Sequence, residues 1–230
     1  MTEINKTLLE IIASREDISD YLFHFTKGKN AFQTLCEIWN ERSLKDPCNR
    51  GYICFTEAPI TALYNMFQIF ERYDEPMYAP YGIGIKKDLL YEKGCRPVIY
   101  GTNDDFKNLP QEFGWRCVEY LPYKNDYTWL REWRLKQSSF ELLPKECIII
   151  TKTESEQTML MKDTGDDLDF DGDIDDGELH GCVTGQFLRI FRGISMEDIK
   201  NVCKYSKNEL EQILSSQKTG DVETRMLGYF

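Results

Sequence analysis

YLFHFTKGKN, residues 21–30, sets one of only two histidines inside an aromatic and aliphatic run. That content predicts a strand over "YLFHFT", with Asn30 placed to cap the helix that follows. "NAFQTLCEIWNERS" has helical spacing, with Phe32, Leu35, Cys36 and Trp39 on one side. His24 therefore sits on a buried strand, either as a satisfied core residue or as a group turned toward a ligand.

Outward from this stretch the pattern repeats. "GYICFT" reads as a second strand and runs into "EAPITALYNMFQIFERY", a helix with Pro59 near its first turn and Leu63, Tyr64, Phe67 and Phe70 facing inward. Short strands follow at "YGIGI", "RPVIY", "RCVEYL", "EWRL", "ECIIIT" and "QFLRIF". Residues 6–20 predict an opening helix with an apolar face of Leu8, Leu9, Ile11 and Ile12. Ser195 with Asp198 and Ser206 with Glu209 fit capping boxes for two closing helices. Helices early and late with strands between them predict an α+β fold: a core over residues 1–160, an acidic loop over 161–180, and a closing strand with C-terminal helices over 181–230.

The chain has 230 residues, enough to bury a core, and a net charge of -11. Residues 163–178 hold eight Asp and one Glu without Lys or Arg; setting those nine aside leaves -2, a body close to neutral. Nucleic acid is therefore not excluded as a partner by charge. Within that run, Asp167 to Glu178 matches the calcium-loop pattern, with carboxylates at loop positions 1, 3, 5 and 12 and glycine at 6. Thr164, Gly165, Gly181 and Gly185 break the flanking helices such a site needs. A solvated, mobile acidic loop fits the string as well, and no metal site is expected. Eight cysteines without a C-x-x-C pair predict free thiols and a reducing, cytoplasmic setting. No apolar run approaches the ~20 residues that cross a bilayer, so no membrane partner is expected.

Three polar clusters lie on or beside predicted strands: His24, Thr26 and Asn30 in "FHFTKGKN"; Phe55, Thr56 and Glu57 in "GYICFTEAP"; Arg131, Glu132 and Arg134 in "LREWRL". There is no G-x-S-x-G, no P-loop and no H-E-x-x-H, and the G-x-G of "YGIGI" lacks the third glycine of a dinucleotide fingerprint. Each cluster has a plainer reading. His24 can be a core histidine, Asn30 and Thr56 can cap helices, and "REWR" can be a strand laced by surface ion pairs.

Over roughly residues 20–155 the order of these motifs resembles the ADP-ribosyltransferase superfamily, in particular the DarT-like, CmdT-type and AbiGi-type bacterial phage-defence proteins. The resemblance implies two small packed sheets around an NAD cleft, with NAD as co-substrate. It implies that His24, Phe25 and Thr26 meet the NAD ribose, that Phe55 and Thr56 line the nicotinamide pocket, and that Glu132 is the catalytic carboxylate. An arginine after the first helix, Arg42 or Arg50, would face NAD. "FTEAP" departs from the Ser-Thr-Ser triplet of many toxin transferases. The implied activity is mono-ADP-ribosylation of a macromolecule, nucleic acid before protein, by a toxin that an antitoxin or inhibitory protein restrains. The rival readings are a non-catalytic regulatory module on the same fold and a metal-dependent nuclease, the latter resting on the acidic run alone.

Overall fold

The computed structural model describes residues 19–124, 126–143, 146–161, 169–175, 178–184, 192–206, 208–213 and 215. The opening helix expected over residues 6–20 falls almost wholly outside these, and Ser19 and Asp20 precede the first strand as irregular backbone.

β1 (Tyr21–Phe25) is apolar on both faces because it lies in the middle of the fold. It belongs to a seven-stranded sheet ordered β13-β10-β4-β1-β3-β8-β5, built from β3 (Ile53–Thr56), β4 (Gly82–Lys86), β5 (Arg96–Pro97), β8 (Glu132–Leu135), β10 (Cys147–Thr151) and β13 (Arg192–Ser195). Successive side chains of a strand alternate between faces, and each face is covered. Tyr21, Phe23, Phe25, Ile148 and Ile150 pack against Ile60, Leu63 and Phe67 of α2 (Ile60–Phe70) and Met196, Ile199 and Val202 of α6 (Met196–Val202). Leu22, Ile83, Ile85 and Ile149 pack on the other side with Leu35 of α1 (Ala31–Glu41), Leu90 of α3 (Lys87–Glu92) and Leu160 of α5 (Glu154–Met161). A mixed α+β fold around one large, mostly antiparallel sheet is thus what the sequence builds. The two small packed sheets of the resemblance are replaced at its centre by this single sheet.

Smaller pairs surround it: β2 (Ser43–Lys45) with β9 (Ser139–Glu141), and β6 (Ile99–Gly101) with β7 (Cys117–Glu119), the latter connected through α4 (Asn103–Phe106). β11 (Asp169–Asp175) pairs antiparallel with β12 (Glu178–Thr184), Asp175 opposite Glu178. An extended, paired backbone over Asp169–Asp175 takes the place of the expected acidic loop and is not the compact turn a calcium loop requires. As sequence, "ECIIITKTESEQTML" and "GQFLRIFRGI" on either side of the acidic run suit hairpin partners. Instead β10 pairs parallel with β13, Ile148 opposite Arg192. The helix α5 and the β11–β12 hairpin between them supply the long connection that parallel pairing needs; the predicted strand "QFLRIF" itself lies outside the described residues. Ser195 and Asp198 form the expected capping box on α6, and Ser206 and Glu209 exchange the same bonds before the helical residues 208–213.

The glycines of "YGIGI" prove to be packing residues. Gly82 stands opposite Phe25 and Gly84 opposite Phe23, leaving room for the two rings. A Cβ at Gly82 meets the His24 carbonyl and the Phe25 ring. Because backbone cannot swing aside, Gly82→Ala is expected to cost about 1–3 kcal/mol, measured by urea denaturation. A loss below about 0.5 kcal/mol, the usual range for an unconstrained position, would show that the β1–β4 contact is looser than this.

Candidate functional site

The three motif-bearing strands are neighbours in the sheet: β1 carries His24, β3 carries Cys54, Phe55 and Thr56, and β8 opens with Glu132. Between β1 and β3 the ladder is limited to Phe23 opposite Thr56. Beyond that pair the His24 imidazole takes over, its Nδ1 lying 2.8 Å from the Cys54 carbonyl. A carbonyl only accepts, so Nδ1 carries the proton and the neutral ring presents Nε2 as an acceptor. Burial lowers the His24 pKa, the Cys54 bond partly offsets this, and the cations of Arg50 and Lys27 lower it further. His24 is therefore neutral at pH 7.

Glu132 lies across β3 from this point. Thr56 is its register partner and Arg134 is opposite Cys54, so alternation sets Cys54, Thr56, Glu132 and Arg134 on one face. Arg134 Nε donates to Glu132 Oε1 at 2.8 Å, and Arg134 Nη1 donates to the Trp115 carbonyl at 2.7 Å and the Cys117 carbonyl at 3.3 Å. Both side chains are mostly enclosed, at 10% and 14% exposure for Arg134 and Glu132. The Glu132 amide donates to Tyr100 Oη at 3.3 Å. Burial, then the Glu132 charge and a hydrogen bond to it, push the Cys54 thiol up to about 12. Burial and the same carboxylate push Tyr78 up to about 12 as well. Glu132 thus lies between a neutral thiol and one guanidinium, with the Tyr78 phenol within reach of its charge.

His24 and Glu132 do not face each other across a groove. His24 turns toward Phe55, their rings 6.0 Å apart, on the face of the sheet opposite Glu132; the two meet at Cys54 only through its backbone, one on its carbonyl and the other beside its thiol. Arg50 joins them there. Its Nη2 lies 3.8 Å from Cys54 Sγ and its guanidinium stands 5.0 Å over the Tyr52 ring, which Arg134 also covers at 4.4 Å. Arg42, the alternative to Arg50, is instead the left-handed C-cap of α1.

The other predicted contacts have structural work. Thr26 Oγ1 donates to the carbonyls of Ala31 and Tyr81, at 2.9 and 3.0 Å. Thr56 Oγ1 donates to the Leu130 carbonyl and accepts from the Ala58 amide, holding the start of α2. Phe25 packs edge-on to Phe67 and Phe55 is buried in the core, so neither offers a ring face to a ligand. Glu57 bonds Lys87 Nζ at 2.7 Å and Trp133 Nε1 at 2.8 Å, tying β3 to α3 and β8. Asn30 precedes α1 without a side-chain capping bond.

Cys54, Tyr52, Tyr78 and Tyr100 are site residues that sequence reasoning passed over. For Cys54 the signal was its alternation with Thr56. The tyrosines carry none. Among the described residues no cluster of three His, Cys, Asp or Glu could hold a metal ion, and no helix is long and apolar enough to cross a membrane. No protein-family model, curated protein or solved structure matches the chain.

Proposed function

We propose that the chain is an NAD-dependent mono-ADP-ribosyltransferase acting on a macromolecule, with a nucleobase in RNA or DNA as the preferred acceptor. The observation that carries this reading is the adjacency of β1, β3 and β8, which brings Arg50 and Glu132 beside the Cys54 thiol on one face of the sheet while His24 reaches the Cys54 carbonyl from the Phe55 side. The donor set suits a dinucleotide. His24 Nε2 accepts from a ribose hydroxyl without bringing charge, and Arg50 supplies a planar cation for phosphate oxygens.

In the transfer, the bond between the anomeric carbon and nicotinamide breaks, nicotinamide leaves with the electron pair, and the acceptor atom bonds to that carbon. Positive charge grows on the sugar as it does in glycoside cleavage. Glu132 stabilises that charge and takes the acceptor's proton. Arg134 Nε, bonded to Oε1, keeps the carboxylate aimed. By resemblance the setting is a cytoplasmic phage-defence toxin restrained by an inhibitory protein.

A regulatory module on the same fold is the second reading. The enclosure of Glu132 beside Arg134 and Cys54 and the structural engagement of Thr26 and Thr56 favour it. Incubation with NAD labelled in the adenylate, together with total RNA, DNA or protein, separates the two. Label in a macromolecule with release of nicotinamide is the expected result. Failure to bind NAD leaves the regulatory module, and cleavage of nucleic acid that needs a divalent ion and no NAD points to a nuclease.

A further inference from the structure

Six residues, Asp46 to Gly51, carry Arg50 from β2 to β3, and they are organised around one carboxylate. Asp46 Oδ1 accepts from the Cys48 amide at 3.1 Å, and Oδ2 accepts from the Gly51 amide at 2.7 Å. Asn49 and Gly51 both take left-handed φ, 52° and 79°, which curls the segment so that these amides converge on the same side chain. The Asp46 amide is itself bonded to the Ser138 carbonyl at 2.9 Å, fixing the turn to the body. The Asp46 side chain is 1% exposed and lies 3.9 Å from Arg50 Nε, whereas the Arg50 side chain is 45% exposed. An enclosed carboxylate thus anchors an arginine whose head reaches solvent beside His24 and Cys54. Burial works to raise the Asp46 pKa, but the amides of Cys48, Gly51 and Arg50 and the Arg50 charge outweigh it, and the net direction is down.

We infer that Asp46 is a positioning residue: it sets the turn that aims the Arg50 guanidinium at the diphosphate of a ligand bound along the β1–β3 seam. An exposed arginine on a free loop samples many rotamers, and ordering it on binding costs affinity. Here the Asp46 bonds fix the backbone beforehand, and the Tyr52 ring, 5.0 Å from the guanidinium carbon, limits where the head can go. The inference rests on the part of the transferase reading that gives Arg50 a phosphate to hold, and it names the residue on which that contact depends.

Its test is a titration of inorganic pyrophosphate and, separately, NAD into the full chain by calorimetry, with Asp46→Asn, Arg50→Ala and the double variant alongside, well below each melting temperature. The wild type is expected to bind both ligands. Asp46→Asn is expected to weaken both about tenfold, and the double variant to be no weaker than Arg50→Ala alone, because the two residues act as one unit. Should Asp46→Asn fail to fold, Gly51→Ala strains the same turn with the carboxylate in place, since an added Cβ meets nothing within 4 Å while φ stays at 79°; it is expected to weaken pyrophosphate in the same way. A lower melting temperature with unchanged affinity for both ligands overturns the inference and makes Asp46 purely structural. Pyrophosphate binding that depends on Asp46 in a protein that ignores NAD supports the inference and sinks the transferase reading. NAD binding that survives Arg50→Ala does the reverse. Binding of neither ligand by the wild type overturns both.

Discussion

Glu132→Gln is expected to cut transfer of ADP-ribose by about 10²–10³-fold in kcat, the usual consequence of removing one preorganised group from a developing charge. The amide matches the carboxylate in shape and its oxygen still accepts from Arg134 Nε, so the hydrogen bond survives, while the enclosed guanidinium loses its counter-charge and stability falls. On the transferase reading, the substitution removes the negative charge opposite the sugar and the base that takes the acceptor's proton. NAD binding is expected to persist, because His24 and Arg50 reach the site from β1 and from the Asp46 turn rather than from β8. Single-turnover transfer and NAD titration, run side by side, make the measurement. Wild-type transfer by Glu132→Gln would remove Glu132 from the chemistry. Loss of NAD binding with no change in the chemical step would assign it to the binding of NAD instead.

How much of this was legible in the chain follows from the range of each interaction. Local signals read correctly. "YLFHF" is a strand, "SMED" begins a helix with its capping box, and Pro59 stands at the entry of α2. Glu132 opens a strand as its motif implied. Partners set by register were not readable. Nothing in "YICFT" and "EWRL" says that Cys54 lies opposite Arg134, yet that pairing places the thiol beside Glu132. The glycines of "YGIGI" looked like a broken nucleotide fingerprint because their reason lies on another strand, in the rings of Phe23 and Phe25. Thr26 and Thr56 were misleading for the same cause. A hydroxyl next to a strand end suits a ligand or a carbonyl equally, and only the fold supplied the carbonyls of Tyr81 and Leu130. The same blindness to distance hid Tyr78, brought to Glu132 from the loop that follows α2.

Arg134→Ala is expected to destabilise the fold by about 3–5 kcal/mol, the cost of leaving one member of an enclosed ion pair without its partner. Three acceptors depend on this guanidinium: the Glu132 carboxylate on its own strand, and the Trp115 and Cys117 carbonyls at the junction with β7. Alanine leaves all three short of a donor, and the enclosed position admits little water to replace it. It also uncovers the Tyr52 ring, over which the Arg50 guanidinium stands as well. Arg134→Lys separates charge from geometry. A lysine keeps the cation but is a single point of charge and cannot span a carboxylate and two carbonyls in one plane, so a loss between those of wild type and alanine is expected. Chemical denaturation of the three proteins gives the comparison. If lysine restores full stability, charge alone holds this corner together. If alanine falls within about 0.5 kcal/mol of wild type, as changes at unconstrained surface sites do, the Glu132–Arg134 pair contributes nothing to the fold, and its close geometry then serves the carboxylate alone.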